Sequence, residues 1–210
     1  MNKKRFLFLI ACLSVLSLSL HAQGKAVSSK SYTAQFGVKA GLNVAGISNG
    51  SADINFSPGM KAGFHIGALA NFHFGFRNEG SPAGTGIFGI QPELLFSSQG
   101  FSFDGDSYSF NYLTLPIMLK LYVTNEFNLE IGPYFGYLVG VSPDFALIDR
   151  ANIDLSSFTG GLDTGLGIGA GYQMKSGLTI GARYLLGLSN MSNDYEWKNN
   201  VISVSVGWLF

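Results

Sequence analysis

The side chains able to do chemistry in this chain are few, and their spacing argues against most of what they could do. His65 and His73 stand eight residues apart in an alternating segment, roughly 26 Å at about 3.3 Å per residue, too far to share a metal ion. Each reads instead as an interior histidine hydrogen-bonded to its neighbours. An enzyme built here would be a membrane hydrolase or acyltransferase with His65 as base and a loop serine as nucleophile, and no pattern fixes such a serine. Asp104-Gly105-Asp106 offers two carboxylates to calcium without the further oxygen ligands a loop site needs, so it reads as a solvated turn. Gly165, Gly167, Gly169 and Gly171 resemble a phosphate-binding run, but their period is strictly two and a strand follows them rather than a helix. They read as spacers. The sole cysteine, Cys12, lies in Leu9-Ile10-Ala11-Cys12, similar to a lipoprotein processing box, yet the apolar run continues to Leu20. The expectation is therefore no enzyme, no cofactor, no metal, and after export no thiol for disulfides or thiolate chemistry.

What remains is a set of seven charges, Lys39, Lys61, Glu93, Lys120, Glu130, Asp163 and Arg183, isolated in otherwise apolar or small-residue segments. Only 12% of the chain is charged while 47% is apolar and 14% aromatic, and a water-facing surface needs about twice that charge. Lys3, Lys4 and Arg5 precede the apolar run Phe6 to Leu20, with the small Ala22 beyond it, the pattern of a secretory signal peptide over residues 1–22. Removing the leader takes away three of 13 cations and none of the 13 anions. The exported chain, starting at Gln23, is mildly acidic, which gives no electrostatic reason to bind nucleic acid. A short segment, 23–31, leads into the body of the protein at 32–210.

The elements that must position the charges have a period of two. From Tyr32 to Val44 the even residues are apolar or aromatic and the odd ones polar or glycine, and Met60 to Phe76 repeats the pattern. Six further segments follow: Gly86 to Ser97, Tyr112 to Thr124, Phe127 to Val141, Phe158 to Met174, Leu178 to Leu188 and Asn200 to Phe210. No run reaches the 18 or so unbroken apolar residues of a membrane helix. Strands of this length exceed those of soluble sheets and match what a tilted strand needs to cross a bilayer. Ala45 to Gly59, Ser98 to Asn111, Ser142 to Ser157 and Ser189 to Asn199 read as long polar loops. Asn125-Glu126 and Lys175-Ser176-Gly177 read as tight turns, with Arg77 to Thr85 a longer exception. Long loops at one end and short turns at the other predict an all-β, eight-stranded antiparallel transmembrane barrel of the outer-membrane type, a meander with its loops extracellular.

A soluble barrel with an apolar interior would carry many charges outside, whereas here the polar strand face is mostly Gly, Ser, Thr and Asn with the seven charges scattered along it. That face is therefore the lumen, narrow enough in eight strands to be filled by side chains. Phe72, Phe74, Phe76, Trp208 and Phe210 form an interfacial girdle on the other face. The register places Ile117 against lipid and Met118 and Lys120 in the lumen, where an arginine at 118 would find room. The seven charges should pair, Glu93 and Glu130 flanking Lys120 from adjacent strands, and so close the lumen.

The segments FGVKAGLN (Phe36 to Asn43), IQPELLFSSQG (Ile90 to Gly100), YLTLPIMLKLY (Tyr112 to Tyr122), IGPYFGYLVG (Ile131 to Gly140), GLTIGARYLLGLSN (Gly177 to Asn190) and the terminal VISVSVGWLF resemble the PorT-like small outer-membrane barrels of Bacteroidetes. The resemblance spans nearly the whole exported chain and implies an eight-stranded barrel of the OmpA or OmpX kind. The expected role is structural or surface-interacting in the outer membrane. The partners are outer-membrane lipid, the barrel-assembly machinery through the strand ending at Phe210, and an extracellular ligand or envelope protein. Phe145, Asp149, Arg150, Tyr195, Glu196 and Trp197 are the candidate loop contacts. A narrow porin-like channel, a membrane component of an export assembly and a lipid-modifying enzyme are the rival readings.

Overall fold

The computed structural model describes residues 33–49, 59–74, 87–103, 106–142, 162–190 and 197–210. They form eight strands: β1 (Thr33–Asn49), β2 (Gly59–Phe74), β3 (Phe88–Phe103), β4 (Asp106–Tyr122), β5 (Phe127–Ser142), β6 (Leu162–Gln173), β7 (Leu178–Gly187) and β8 (Trp197–Leu209). Each pairs antiparallel with the next, and β1 with β8 through Gly37↔Leu209 to Asn49↔Trp197, which closes the barrel. Closure leaves no free edge along the paired length, so ladder hydrogen bonds are met within the wall.

Alternation decides what faces out. Val38, Leu42, Phe64, Ile66, Leu119, Ile131, Ile168, Val204 and Trp208 stand exposed on the outer surface. Asn43, His65, Glu93, Lys120, Glu130, Asp163 and Arg183 are buried inside. The chain turns tightly from β4 to β5 and from β6 to β7. In the first, Phe127 N–H donates to Thr124 Oγ1; in the second, Gly177 has φ of +95° and its N–H donates to Met174 O. These links define a turn end, opposite the loop end.

One expected loop is absent. Residues 98–111, rich in Ser, Gly and Asp, continue the barrel: β3 runs to Phe103 and β4 starts at Asp106, their ladder unbroken from Leu95↔Thr114 to Phe103↔Asp106. The cause is aromatic. Phe101, Tyr108, Phe110 and Tyr112 turn inward and pack together, with Phe101 stacked at 5.1 Å on Tyr108 and 5.9 Å on Phe110. Two adjustments let the strands serve this cluster. Gly100 has φ of +147°, and a Cβ there would fall 1.8 Å from the Tyr108 carbonyl oxygen, so only glycine fits. Opposite, the register jumps from Asn111↔Gly140 to Tyr112↔Leu138, a bulge at Val139 that brings both Leu138 and Val141 against the aromatics. A second apolar group, Ala45, Tyr134, Leu185 and Val201, also fills the lumen toward the loop end.

The signal peptide, Cys12 and the 23–31 segment lie outside the described residues. So do Phe76, Phe145, Asp149, Arg150, Tyr195 and Glu196. Trp197 opens β8 opposite Asn49.

The lumen is tighter at residue 118 than the sequence suggests. Met118 is wholly buried, and a Cβ at Gly167 would meet its Cε at 3.2 Å. Ile117→Arg places a charge against lipid, at about 2–4 kcal/mol near the midplane. Met118→Arg buries an unpaired cation in filled space, correcting the expectation that arginine is tolerated there. Both variants should lose the compact band of the unboiled barrel on gels, whereas Ile117→Val should keep it.

Candidate functional site

At mid-height the barrel carries Lys39 on β1, Glu93 on β3, Lys120 on β4, Glu130 on β5 and Arg183 on β7. Arg183 is the hub. Its Nη1 and Nη2 donate to Glu93 Oε2 and Oε1 at 3.0 and 2.8 Å, and its Nε donates to Glu130 Oε1 at 2.8 Å. Lys39 Nζ donates to Glu93 Oε1 at 3.0 Å and Gln91 Nε2 to the same oxygen at 2.6 Å. Lys120 Nζ lies 3.9 Å from Glu130 Oε2, an ion pair beyond hydrogen-bond reach.

Five of the seven predicted charges are therefore brought together, with a different centre. Lys120 does not sit between the two carboxylates; Arg183 does. β3 and β7 are four strands apart in a ring of eight, so the guanidinium spans the lumen, and its planar fork matches a carboxylate in two bonds where an ammonium cannot. Glycine makes the span possible: a Cβ at Gly169 would fall 2.9 Å from Glu130 Oε1. The spacer run on β6 works this way throughout, Gly165 lying against Tyr134, Gly167 against Met118 and Gly171 against Asn128.

The other two charges stand apart. Among the described residues Asp163 meets no cation; it accepts from Ser189 Oγ at 3.1 Å, Asn199 Nδ2 at 3.2 Å and Tyr134 Oη at 3.4 Å. Its strand places it opposite Gly136, while Arg183 pairs with Gly169, six residues away along β6. Lys61 lies toward the loop end opposite Ala45 and its Nζ contacts Ala62 O at 3.5 Å.

Neutral polar layers flank the charges. On the loop side, Asn43 Oδ1 meets His65 Nδ1 at 2.8 Å, Asn43 Nδ2 donates to Ser97 Oγ at 3.0 Å, and Gln99 joins Ser97 to Asn199. On the turn side, His73 Nε2 meets Gln35 Oε1 at 3.1 Å, Gln173 Nε2 donates to the same oxygen at 3.0 Å, and Asn71 Nδ2 donates to Tyr122 Oη at 2.9 Å. His65 and His73 thus lie in separate layers, and among the described residues no group of three His, Cys, Asp or Glu side chains could hold a metal ion. Composition puts asparagines on this face but gives them no partners, and it does not single out the glutamines or the inward tyrosines. Their signal was parity, since Asn43, Gln91, Gln99, Asn128, Gln173 and Asn199 share the face that carries the charges.

A closed eight-stranded meander, apolar outside and polar within, is an outer-membrane barrel. The chain belongs to the family of the outer membrane protein beta-barrel domain, whose family model matches residues 21–193. It resembles Neisserial surface protein A at 13% identity and a TM-score of 0.51, over 85% of this chain and 99% of that one. It also resembles Ail, the attachment invasion locus protein of Yersinia pestis, at 14% identity and a TM-score of 0.46, over 84% and 98%. The outer membrane protein AlkL, solved in DMPC bilayers, is similar at 12% identity and a TM-score of 0.42, over 90% and 96%. At these identities the likeness is one of fold. No curated protein matches the chain.

Proposed function

We propose that this protein is a non-enzymatic barrel whose wall and lumen form a closed scaffold and whose extracellular loops carry the interaction surface. The observation that carries this reading is the Arg183 bridge, which joins opposite walls through Glu93 and Glu130, with the Phe101 and Tyr134 groups packed in the loop half of the lumen. The His65 ring lies against Gly41 and its Nδ1 meets Asn43 Oδ1, which supports a packing role for it rather than that of a base. The filled lumen leaves a porin-like channel the weaker alternative.

In this reading the chain is exported with cleavage after Ala22, and Trp208 and Phe210, both exposed at the end of β8, present the terminal strand to the barrel-assembly machinery. The loop residues Phe145, Asp149, Arg150, Tyr195, Glu196 and Trp197 are the contacts for an envelope protein or extracellular ligand. The likeness of the quoted segments supports a place among the PorT-like barrels within its family; an export role is not part of the proposal. Purified protein inserted into planar bilayers should show no steady conductance. A stable, well-defined open level in the unmutated protein would overturn the closed scaffold and make the protein a channel.

A further inference from the structure

The lumen is not uniform along its axis. On the loop side of Arg183 the buried polar side chains described above are hydrogen-bonded to one another and capped by apolar groups. On the turn side, among the described residues, three buried acceptors receive no hydrogen bond: Asn71 Oδ1, His73 Nδ1 and Asn128 Oδ1. Asn200 Oδ1, the remaining such atom, is on the outward register of β8. A buried acceptor without a donor is costly, about 1–3 kcal/mol each, so three in one half of a lumen call for a donor from outside the chain.

Asn128 also borders a cavity of about 20 Å³, whose lining includes Lys120, Glu130, Gly171, Thr179 and Gly181. The cavity exists because the inward positions of one ladder rung, Gly171↔Gly181, carry no side chain. It exceeds the roughly 10–15 Å³ that one water needs. Its walls ask for a ligand that both accepts and donates: Lys120 Nζ has N–H groups to give and its nearest carboxylate oxygen is at 3.9 Å, while Asn128 Oδ1 needs a donor. Chloride would accept without donating, and a metal cation would be repelled by Lys120. Water does both, and Glu130 offers it a further acceptor.

We propose that this cavity is an ordered water site joining Lys120, Glu130 and Asn128, that water also completes Asn71 and His73, and that it enters from the turn end alone. The side chains on that side include the polar Gln35, Asn71, His73, Tyr122 and Gln173 beside Leu69 and Leu209, whereas the way from the loop end crosses the larger Phe101 and Tyr134 groups. The lumen is then a blind aqueous pocket, carrying solvent as far as Lys120 and stopped by the Arg183 bridge.

The test is side-chain amide NMR on the refolded, ¹⁵N-labelled protein in micelles, reading water cross-peaks at Asn and Gln side chains. The expected result is cross-peaks at Asn71 and Asn128 and none at Asn43 and Asn199. Their absence at Asn71 and Asn128 would overturn the water site, and equal cross-peaks on both sides of Arg183 would overturn one-sided entry. Gly181→Ala adds a methyl group at the cavity wall, its nearest neighbour Ala170 O at 3.3 Å; it should weaken the Asn128 cross-peak several-fold while leaving that of Asn71. An unchanged Asn128 peak in that variant would place the water elsewhere. The unmutated protein decides the main point even if the variant does not fold. Since the readout needs no transport, a conductance that overturned the closed scaffold would register separately.

Discussion

Arg183→Met should destabilise the barrel by about 3–5 kcal/mol, the magnitude found when one partner is removed from a buried charge pair. The variant leaves Glu93 and Glu130 without the cation that holds both, and Glu93 then has Lys39 and Gln91 as its remaining donors. Lys120→Met, by contrast, removes a contact at 3.9 Å and should cost distinctly less. Urea unfolding in lipid vesicles, followed by tryptophan fluorescence, ranks the two. Arg183→Met/Glu130→Gln should recover part of the loss, because it removes one of the stranded charges. If Lys120→Met proved the more damaging single variant, the hub would be Lys120 after all.

Phe101→Ala should cost about 3–5 kcal/mol, as truncation of a packed core aromatic does. Phe101 is 1% exposed although it lies in a stretch whose composition is that of a loop. In a solvated loop the same change would be nearly silent, so the experiment distinguishes the two descriptions of residues 98–111 outright. Phe101→Leu should retain much of the stability, since it keeps apolar volume in the cluster while giving up the stacking on Tyr108 and Phe110. Equal stability of Phe101→Ala and the unmutated protein would mean the β3–β4 hairpin is not packed into the lumen.

The contrast between these two sites marks how far the chain could be read from its residues. Alternation exposes the wall: even residues of β1 and β2 and odd residues of β4 and β5 face out as their side chains require, because a one-residue slip would turn every apolar group inward. Lumen partners are another matter. Strand order tells which ladders touch, and Lys120 stands opposite Glu130 across β4 and β5. The bond from Arg183 to Glu93 crosses the ring between strands 90 residues apart in sequence, a distance set by barrel diameter and side-chain length that no local pattern encodes. Residues 98–111 misled for a related reason. Their Ser, Gly and Asp content argues for a loop, although Phe101 keeps the parity of Glu93 and Tyr108, Phe110 and Tyr112 keep that of Lys120, so the pairing runs on without a register shift; what composition hides is that aromatics here fill the inward face.

The placing of the charges around the wall has a mechanical side. A ring of antiparallel strands can be squeezed into an oval while most of its ladder bonds stay intact, so the wall alone resists flattening poorly. Lys39, Glu93, Glu130 and Arg183 come from β1, β3, β5 and β7, every second strand of the ring. Their contacts, Lys39 to Glu93, Glu93 to Arg183 and Arg183 to Glu130, link four points spaced by quarter turns. Squeezing the cylinder along either of two perpendicular diameters must then compress or break a charged contact in a medium of low dielectric. The network acts as a cross-brace that holds the section round against the lateral pressure of the surrounding lipid.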